Sequence, residues 1–396
     1  MEDFSIKANN LINKNFFPGI EWKIIIKDNI YQGQLGFMNI ENKKPVLENS
    51  LYRIWSMTKP IVSIAIMQLI EKNKIRLEDT INKYLPQFSN ITVLKDIRGS
   101  IENVEDAVKI PTIKDLLLHT AGFTYNQVGN SLSKAYDKAG IFYSQDTTLE
   151  EEINTLSTLP LLYQPSTQWH YSVATDVLGR IIEIITNKSL REALKEQVLN
   201  PIGMKDTDFF VPEEKRSRLM ESYEFDLQTQ KLISVSFGPE KISNFSYPLN
   251  KPDSYARGGH GLFSSLDDYF LFSQMLLTGK TKTGKEIISS KMLQLMTKNH
   301  LPPSFFPLEI KRLDEDLLFE NDLIPYGWGL GFRVLVNLNK AQGIGSVGEF
   351  GWGGAAGTFF LVDPKKELTA VLMTQVINAN QSLKKEFVET IYNSLK

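Results

Sequence analysis

Ser56 and Lys59 stand three residues apart in the stretch "LYRIWSMTKPIVSIAIMQLIEKNKIRLEDTI", residues 51 to 81. On a helix, residues at that spacing share a face, so a hydroxyl and an ammonium would point the same way from a helix beginning near Ser56. Pro60 agrees with such a start, because proline fits the first helical turn, where its missing N–H is not needed. The free N–H groups and partial positive potential of a helix N-terminus favour developing negative charge. A lysine beside a serine can replace histidine as the group that activates a nucleophile. That role needs a lysine neutral part of the time, and burial against Trp55 and the apolar helix would favour it. The same pair also reads as ordinary polar residues at a helix mouth. Ser-x-x-Lys recurs at Ser131–Lys134 and Ser382–Lys385. The first of these lies in a polar stretch and the second opens an amphipathic helix, so only the pair at 56 and 59 leads an apolar helix beside an aromatic.

The elements that must position this pair follow from periodicity and turn chemistry. "EWKIIIKDNIYQGQLGFMNI" holds two β-rich runs, 22 to 27 and 30 to 38, split by Asp28-Asn29 as in a hairpin. Near the other end, runs at 357 to 362 and 368 to 376 are joined by an Asp-Pro-Lys-Lys turn. A last amphipathic helix over about 381 to 395 puts Leu383, Phe387, Ile391 and Leu395 on one stripe. Helices dominate between: 112 to 123, closed by Gly122; 174 to 187; one opened by the capping box Ser189/Glu192 and stopping before Pro201; and one capped by Ser265. The stretch 126 to 150 reads as a surface excursion. Strands at both ends around a helical middle predict an α+β fold: an antiparallel sheet built from both chain ends and flanked by helices, with a mainly helical domain inserted. The expected division is 1–80 with 250–396 for the sheet domain and 81–249 for the helical one, the site lying between them.

Composition narrows the function classes. The chain has 396 residues, 42% hydrophobic and 23% charged, which suits a soluble globular protein with a full core. Lys+Arg 44 against Asp+Glu 46 points to neither nucleic acid nor an acidic membrane surface. No cysteine is present, which excludes disulfides, thiol catalysis and cysteine-bound metal. His119, His170, His260 and His300 never fall at short metal-ligand spacings, so no metal site and no cofactor are expected. The most apolar run, 61 to 70, is about half the length of a membrane span. The N-terminus shows no secretion signal, so a cytoplasmic location is expected.

The segments "SMTKP", "LLLHTAGF", "WHYSVATDVLGRIIE", "NPIGM", "ARGGHGLFSSLDDY" and "GWGGAAGTFFLVDP" occur in this order. Together they resemble the serine β-lactamase and penicillin-binding-protein superfamily, in its class C-like branch with the family VIII-type carboxylesterases. The resemblance runs over roughly residues 20 to 395. It implies Ser56 as nucleophile, with Lys59 and Tyr171 moving the proton and either of them the first base, Tyr171 as shuttle having its phenolate favoured by the neighbouring ammonium. The second element of that superfamily carries an asparagine two residues after the tyrosine; here Val173 stands there. A literal Lys282-Thr283-Gly284 lies in a polar turn between two helices and reads as surface loop. Trp352-Gly353-Gly354, just before a strand, is the better match to the third element, glycine there admits close backbone approach, and by resemblance these three residues and Val173 would contact substrate. By resemblance the N–H groups of Ser56 and Ala355 would form the oxyanion hole. Tyr125, after "HTAGF", is a candidate for lining the pocket; Arg257 and His260, in "YARGGHGLF", read first as part of a glycine-rich loop at a helix start and second as edging the cleft; His119 reads as structural.

The departures carry functional content. In β-lactamases the asparagine contacts the acylamino side chain and the third-element lysine attracts the substrate carboxylate. Val173 and Trp352 remove both. A carboxylate-bearing substrate then loses a charge-assisted bond of about 1.5–3 kcal/mol, whereas a neutral ester does not need it. The expected function is a serine hydrolase acting on small to medium esters through an acyl-enzyme. The alternatives are a β-lactamase, D-Ala carboxypeptidase or D-aminopeptidase, and, from another class, a non-catalytic binding or assembly paralogue. Acyl-chain length and oligomeric state are not legible in the sequence.

Overall fold

The computed structural model describes residues 2–142, 147–226, 228–235, 255–311, 318–320, 323–377 and 382–395. Its main sheet has three strands from the front of the chain, β1 (Gly19–Ile26), β2 (Asn29–Asn39) and β3 (Lys44–Pro45). Five come from the back: β4 (Tyr326–Trp328), β5 (Arg333–Leu335), β6 (Phe350–Gly353), β7 (Phe359–Asp363) and β8 (Leu368–Met373). The order is β4-β5-β6-β7-β8-β1-β2-β3, antiparallel throughout, with Trp22 opposite Leu372 and Ile24 opposite Ala370 where the two chain ends meet. The sheet is therefore built from both ends of the chain, as the terminal strand patterns predict.

Alternation of side chains feeds two cores. Phe359, Leu361, Ala370 and Leu372 join Phe4, Ala8, Phe387 and Ile391 of two terminal helices, α1 (Glu2–Asn13) and α5 (Ser382–Asn393). Phe360, Val362, Val371 and Met373 face the opposite way, into the larger core. That core holds α2 (Thr58–Glu71), α3 (Ala174–Thr186) and α4 (Leu266–Thr278). The Ser265 side chain caps α4, as expected, by accepting from the Asp268 N–H. No helix among the described residues is long and apolar enough to cross a membrane.

Several local expectations shift. The hairpin turn falls at Lys27-Asp28 rather than Asp28-Asn29, with Lys27 at φ +55 and its N–H donating to the Glu367 carbonyl. The helix expected over 112 to 123 stops at Leu117, because the chain turns left-handed at His119 (φ +54) before reaching Gly122. The stretch 126 to 150 is not all loop. Asn130 and Ser133 form a capping box that opens a helix, Ser131–Lys138, and another begins at Leu149; residues 143–146 lie outside the described residues. The Ser189/Glu192 box opens its helix as expected, but helical structure runs on through Ile202. A π turn at Lys195–Leu199 resets the hydrogen bonding, so Pro201 enters at the start of a new turn.

Candidate active site

Ser56 sits where α2 begins. The strand before it, Leu51–Arg53, pairs antiparallel with Phe263–Ser265, and the Ile54 N–H donates to the Leu262 carbonyl at 3.0 Å. The backbone then turns sharply: Trp55 takes φ +47, a left-handed conformation uncommon for a bulky residue and a frequent mark of functional sites. Between Ser50 and Leu69 every residue is buried except Ser56. An otherwise sealed apolar helix thus opens to solvent at the hydroxyl.

Lys59 is 2% exposed, and its Nζ donates to Ser56 Oγ at 3.1 Å and to the Gly259 carbonyl at 2.7 Å. Nζ also lies 4.7 Å from the centre of the Tyr171 ring and 5.5 Å from that of Tyr125. Burial drives its pKa down from 10.5 to about 7, opposed by the negative charge of Asp176.

Tyr171 is held by the loop that leads into α3. The His170 N–H donates to the His119 carbonyl, the Ser172 N–H to His119 Nδ1 and the Val173 N–H to the Thr124 carbonyl. His119 is buried with its pKa pushed well below 6.5, first by desolvation, and as an acceptor at Nδ1 it is the neutral ring that anchors this loop. The Tyr171 hydroxyl accepts from Trp352 Nε1 at 3.1 Å. Trp352, on β6, is 5% exposed and packs edge-on against Trp328, their centroids 4.6 Å apart. Val173 is 1% exposed at the N-cap of α3, and Tyr125 is 7% exposed with its ring 5.5 Å from that of Tyr171.

The glycines after Trp352 bring β6 close to the segment that carries Ser56. A Cβ on Gly354 would lie 2.3 Å from Thr358 Oγ1 and 2.5 Å from the Ile54 carbonyl, so only glycine lets this turn approach the segment before Ser56. Gly353 precedes it at the end of β6, and Ala355 follows it, exposed, in the β6–β7 turn. Gly354→Ala is accordingly expected to push that turn away from Ser56. Measured kcat/KM should drop by about 10²–10³, the cost of losing one oxyanion donor, with a lower melting temperature.

The structure thus brings Ser56, Lys59, Tyr171, Tyr125 and the Trp352–Ala355 segment together. Lys282-Thr283-Gly284 stands apart in an exposed turn. Arg257, fully buried, pairs with Glu152 at 2.7 Å and donates to the Thr147 carbonyl; His260 meets the Phe142 carbonyl at 3.1 Å. Among the described residues no three His, Asp or Glu side chains gather as a metal set.

Sequence reasoning missed Asp176. Its Oδ1 accepts the Gly259 N–H at 2.8 Å, on the same residue whose carbonyl holds Lys59. Oδ2 has no partner among the described residues, and burial, then Glu152, raises the carboxyl to about 6. Gly258 and Gly259 fit flat against α3, because Cβ atoms there would lie 2.3 Å from the Thr175 carbonyl and 2.5 Å from Asp176 Oδ2. An aspartate in the first turn of a helix reads simply as a partner for the helix dipole, which hid this role. Asp176→Asn keeps the acceptor for Gly259 but removes the charge that raises the Lys59 pKa. The acid limb of the pH–rate profile is expected to move to lower pH, a shift that mere loss of fold would not give.

The chain matches the family described as Beta-lactamase over residues 10–388. It belongs to the beta-lactamase family. Protein Rv1367c of Mycobacterium tuberculosis (strain ATCC 25618 / H37Rv) is 33% identical over 346 residues, covering 86% of this chain and 81% of that protein. Esterase EstB of Burkholderia gladioli is 27% identical over 366 residues, covering 87% and 82%. Among solved structures, EstCE1, a hydrolase with promiscuous acyltransferase activity, superposes with a TM-score of 0.82 over 99% of this chain and 98% of that one, at 22% identity. The last similarity shows the β-lactamase/transpeptidase-like fold.

Proposed function

We propose that this member of the beta-lactamase family is a serine carboxylesterase that hydrolyses small to medium neutral esters through an acyl-enzyme on Ser56. The observation that carries it is the buried Lys59 amine, with a pKa of about 7, 3.1 Å from the Ser56 hydroxyl, which belongs to the only residue between Ser50 and Leu69 that is not buried. When deprotonated, Lys59 keeps an N–H on the Gly259 carbonyl and turns its lone pair to the Ser56 proton. Ser56 Oγ attacks the ester carbonyl, and the N–H groups of Ser56 and Ala355 receive the oxyanion. The proton passes by way of Lys59 and Tyr171 to the leaving alcohol. Water then attacks the acyl-enzyme and releases the acid, regenerating Ser56.

The preference for a neutral substrate rests on what surrounds the nucleophile. Trp352 offers no charge, and its indole N–H is committed to Tyr171. Lys59 is buried against Gly259, and Arg257 is sealed by Glu152. Val173 offers no amide to an acylamino side chain. EstB, similar over most of this chain, is named as an esterase, which agrees with the reading. A cytoplasmic setting belongs to the same reading and is checked by fractionating producing cells. Parallel kcat/KM values for p-nitrophenyl butyrate and a chromogenic cephalosporin test the substrate class. The ester is expected to be favoured; preference for the lactam, or rapid labelling by a fluorescent penicillin, would reverse the assignment.

A further inference from the structure

Strand β2 lies next to last in the main sheet, and its outer neighbour β3 pairs only with Phe37 and Asn39. Among the described residues, the segment 29–35 therefore has an open edge. The direction of its hydrogen bonds follows from one end of the strand. The Phe37 N–H donates inward to Pro18 at 2.8 Å, whereas the Gly36 carbonyl accepts from Val46 at 3.1 Å on the outer side. Antiparallel ladders alternate in this way, so Ile30, Gln32 and Gln34 turn their N–H and C=O groups outward. All three are exposed, as is Tyr31.

Sheet edges usually carry lysine, proline or a bulge that blocks further pairing. β2 reads NIYQGQLGFMN, with no charge and no proline. Exposed apolar side chains gather at the same edge: Ile30 at 55%, Tyr31 at 39% and Phe37 at 38%, with Ile6 at 58% on α1, which packs on β2.

We propose that a second copy of this chain covers this edge, the two β2 strands pairing antiparallel about a two-fold axis at Gln32. The strand complements itself. With Gln32 opposite Gln32 of the other copy, Ile30 faces Gln34, and all three outward residues of each chain find partners. In the same register Tyr31 faces Gly33, which already lies under the Trp22 ring: a Cβ there would sit 2.3 Å from Trp22 Cζ2. Tyr31 of the other copy would then meet the Trp22 ring that covers this glycine, an aromatic cross-strand contact. β3 stops the incoming strand at one end, so the open segment is as long as the segment that would fill it. The two-fold sets the Lys27-Asp28 turn of one copy beside Gly36 of the other, where Val46 closes the open segment. An isologous contact needs one patch able to meet itself, and β2 carries no charge of its own; the neighbouring Glu48 carboxylate accepts from the Gln32 side-chain amide at 3.4 Å.

Light scattering on the full-length chain tests this directly, with an expected mass twice the 45.1 kDa of one copy. Gln32→Pro removes an outward N–H without touching the β1 ladder, so it should return a monomer with an unchanged melting transition. Because the chain has no cysteine, Gln32→Cys gives a second readout. Hydrogen-bonded antiparallel partners have Cα atoms about 5.5 Å apart, within disulfide reach. Oxidation should cross-link that variant, while Val108→Cys, exposed at 77% on another loop, should stay uncross-linked. A wild-type monomer at every concentration loaded would leave this edge to another occupant and overturn the proposal. So would a dimer that survives Gln32→Pro or fails to cross-link through Gln32→Cys.

Discussion

Replacing Ser56 with alanine is expected to reduce p-nitrophenyl butyrate hydrolysis by roughly 10³-fold or more, to the residual catalysis of binding and oxyanion donors alone. The fold should hardly notice. Ser56 is the only residue between Ser50 and Leu69 that is not buried, and removing its hydroxyl opens no sealed cavity. Lys59 loses one acceptor but keeps the Gly259 carbonyl at 2.7 Å. Such a change should alter stability by no more than about 1 kcal/mol. Paired rate and urea-melt measurements check this. Large loss of rate with little loss of stability is what a nucleophile gives; a helix cap would give the reverse.

The second large effect concerns Lys59. An ordinary lysine, with its pKa of about 10.4, is neutral at pH 7 only about once in a few thousand molecules. Burial lowers Lys59 to about 7, so near pH 7 roughly half the molecules carry a free lone pair. The protonated form cannot accept the Ser56 proton. Hence kcat/KM should rise with pH through about 7 and level off above it, falling about tenfold per unit well below it. Lys59→Gln retains a donor for the Gly259 carbonyl yet offers no base. It should lose about 10²–10⁴ in kcat/KM, the usual span for a general base, and flatten the limb near pH 7. A rate that keeps the same limb in Lys59→Gln would assign that proton elsewhere.

What the sequence disclosed depended on how local each signal was. The β1–β2 hairpin, the Ser265 cap, the Ser189/Glu192 box and α5 all rest on spacings within one element, and all appear in the fold. Ser56, Lys59, Tyr171 and Trp352 could be placed because they sit in segments with a recognisable order. Their contacts could not. Lys59 meets Gly259 across 200 residues, and Trp352 meets Tyr171 across 181. Asp176 was invisible for the same reason, since its partner Gly259 lies on a different segment. The helix at Ser131–Lys138 was missed because polar side chains dominate it, and its Asn130/Ser133 box lacks the usual glutamate. Trp352 reads from sequence as a residue facing substrate, whereas its indole is buried and spends its N–H on Tyr171.

The central claim is that Ser56 forms the acyl-enzyme. Intact-mass analysis of the protein treated with a fluorophosphonate, followed by peptide mapping, addresses it most directly. A single adduct is expected on the peptide carrying Ser56, formed faster as pH rises through about 7 and absent from Ser56→Ala. No adduct, or an adduct elsewhere while esters are still turned over, would contradict the account.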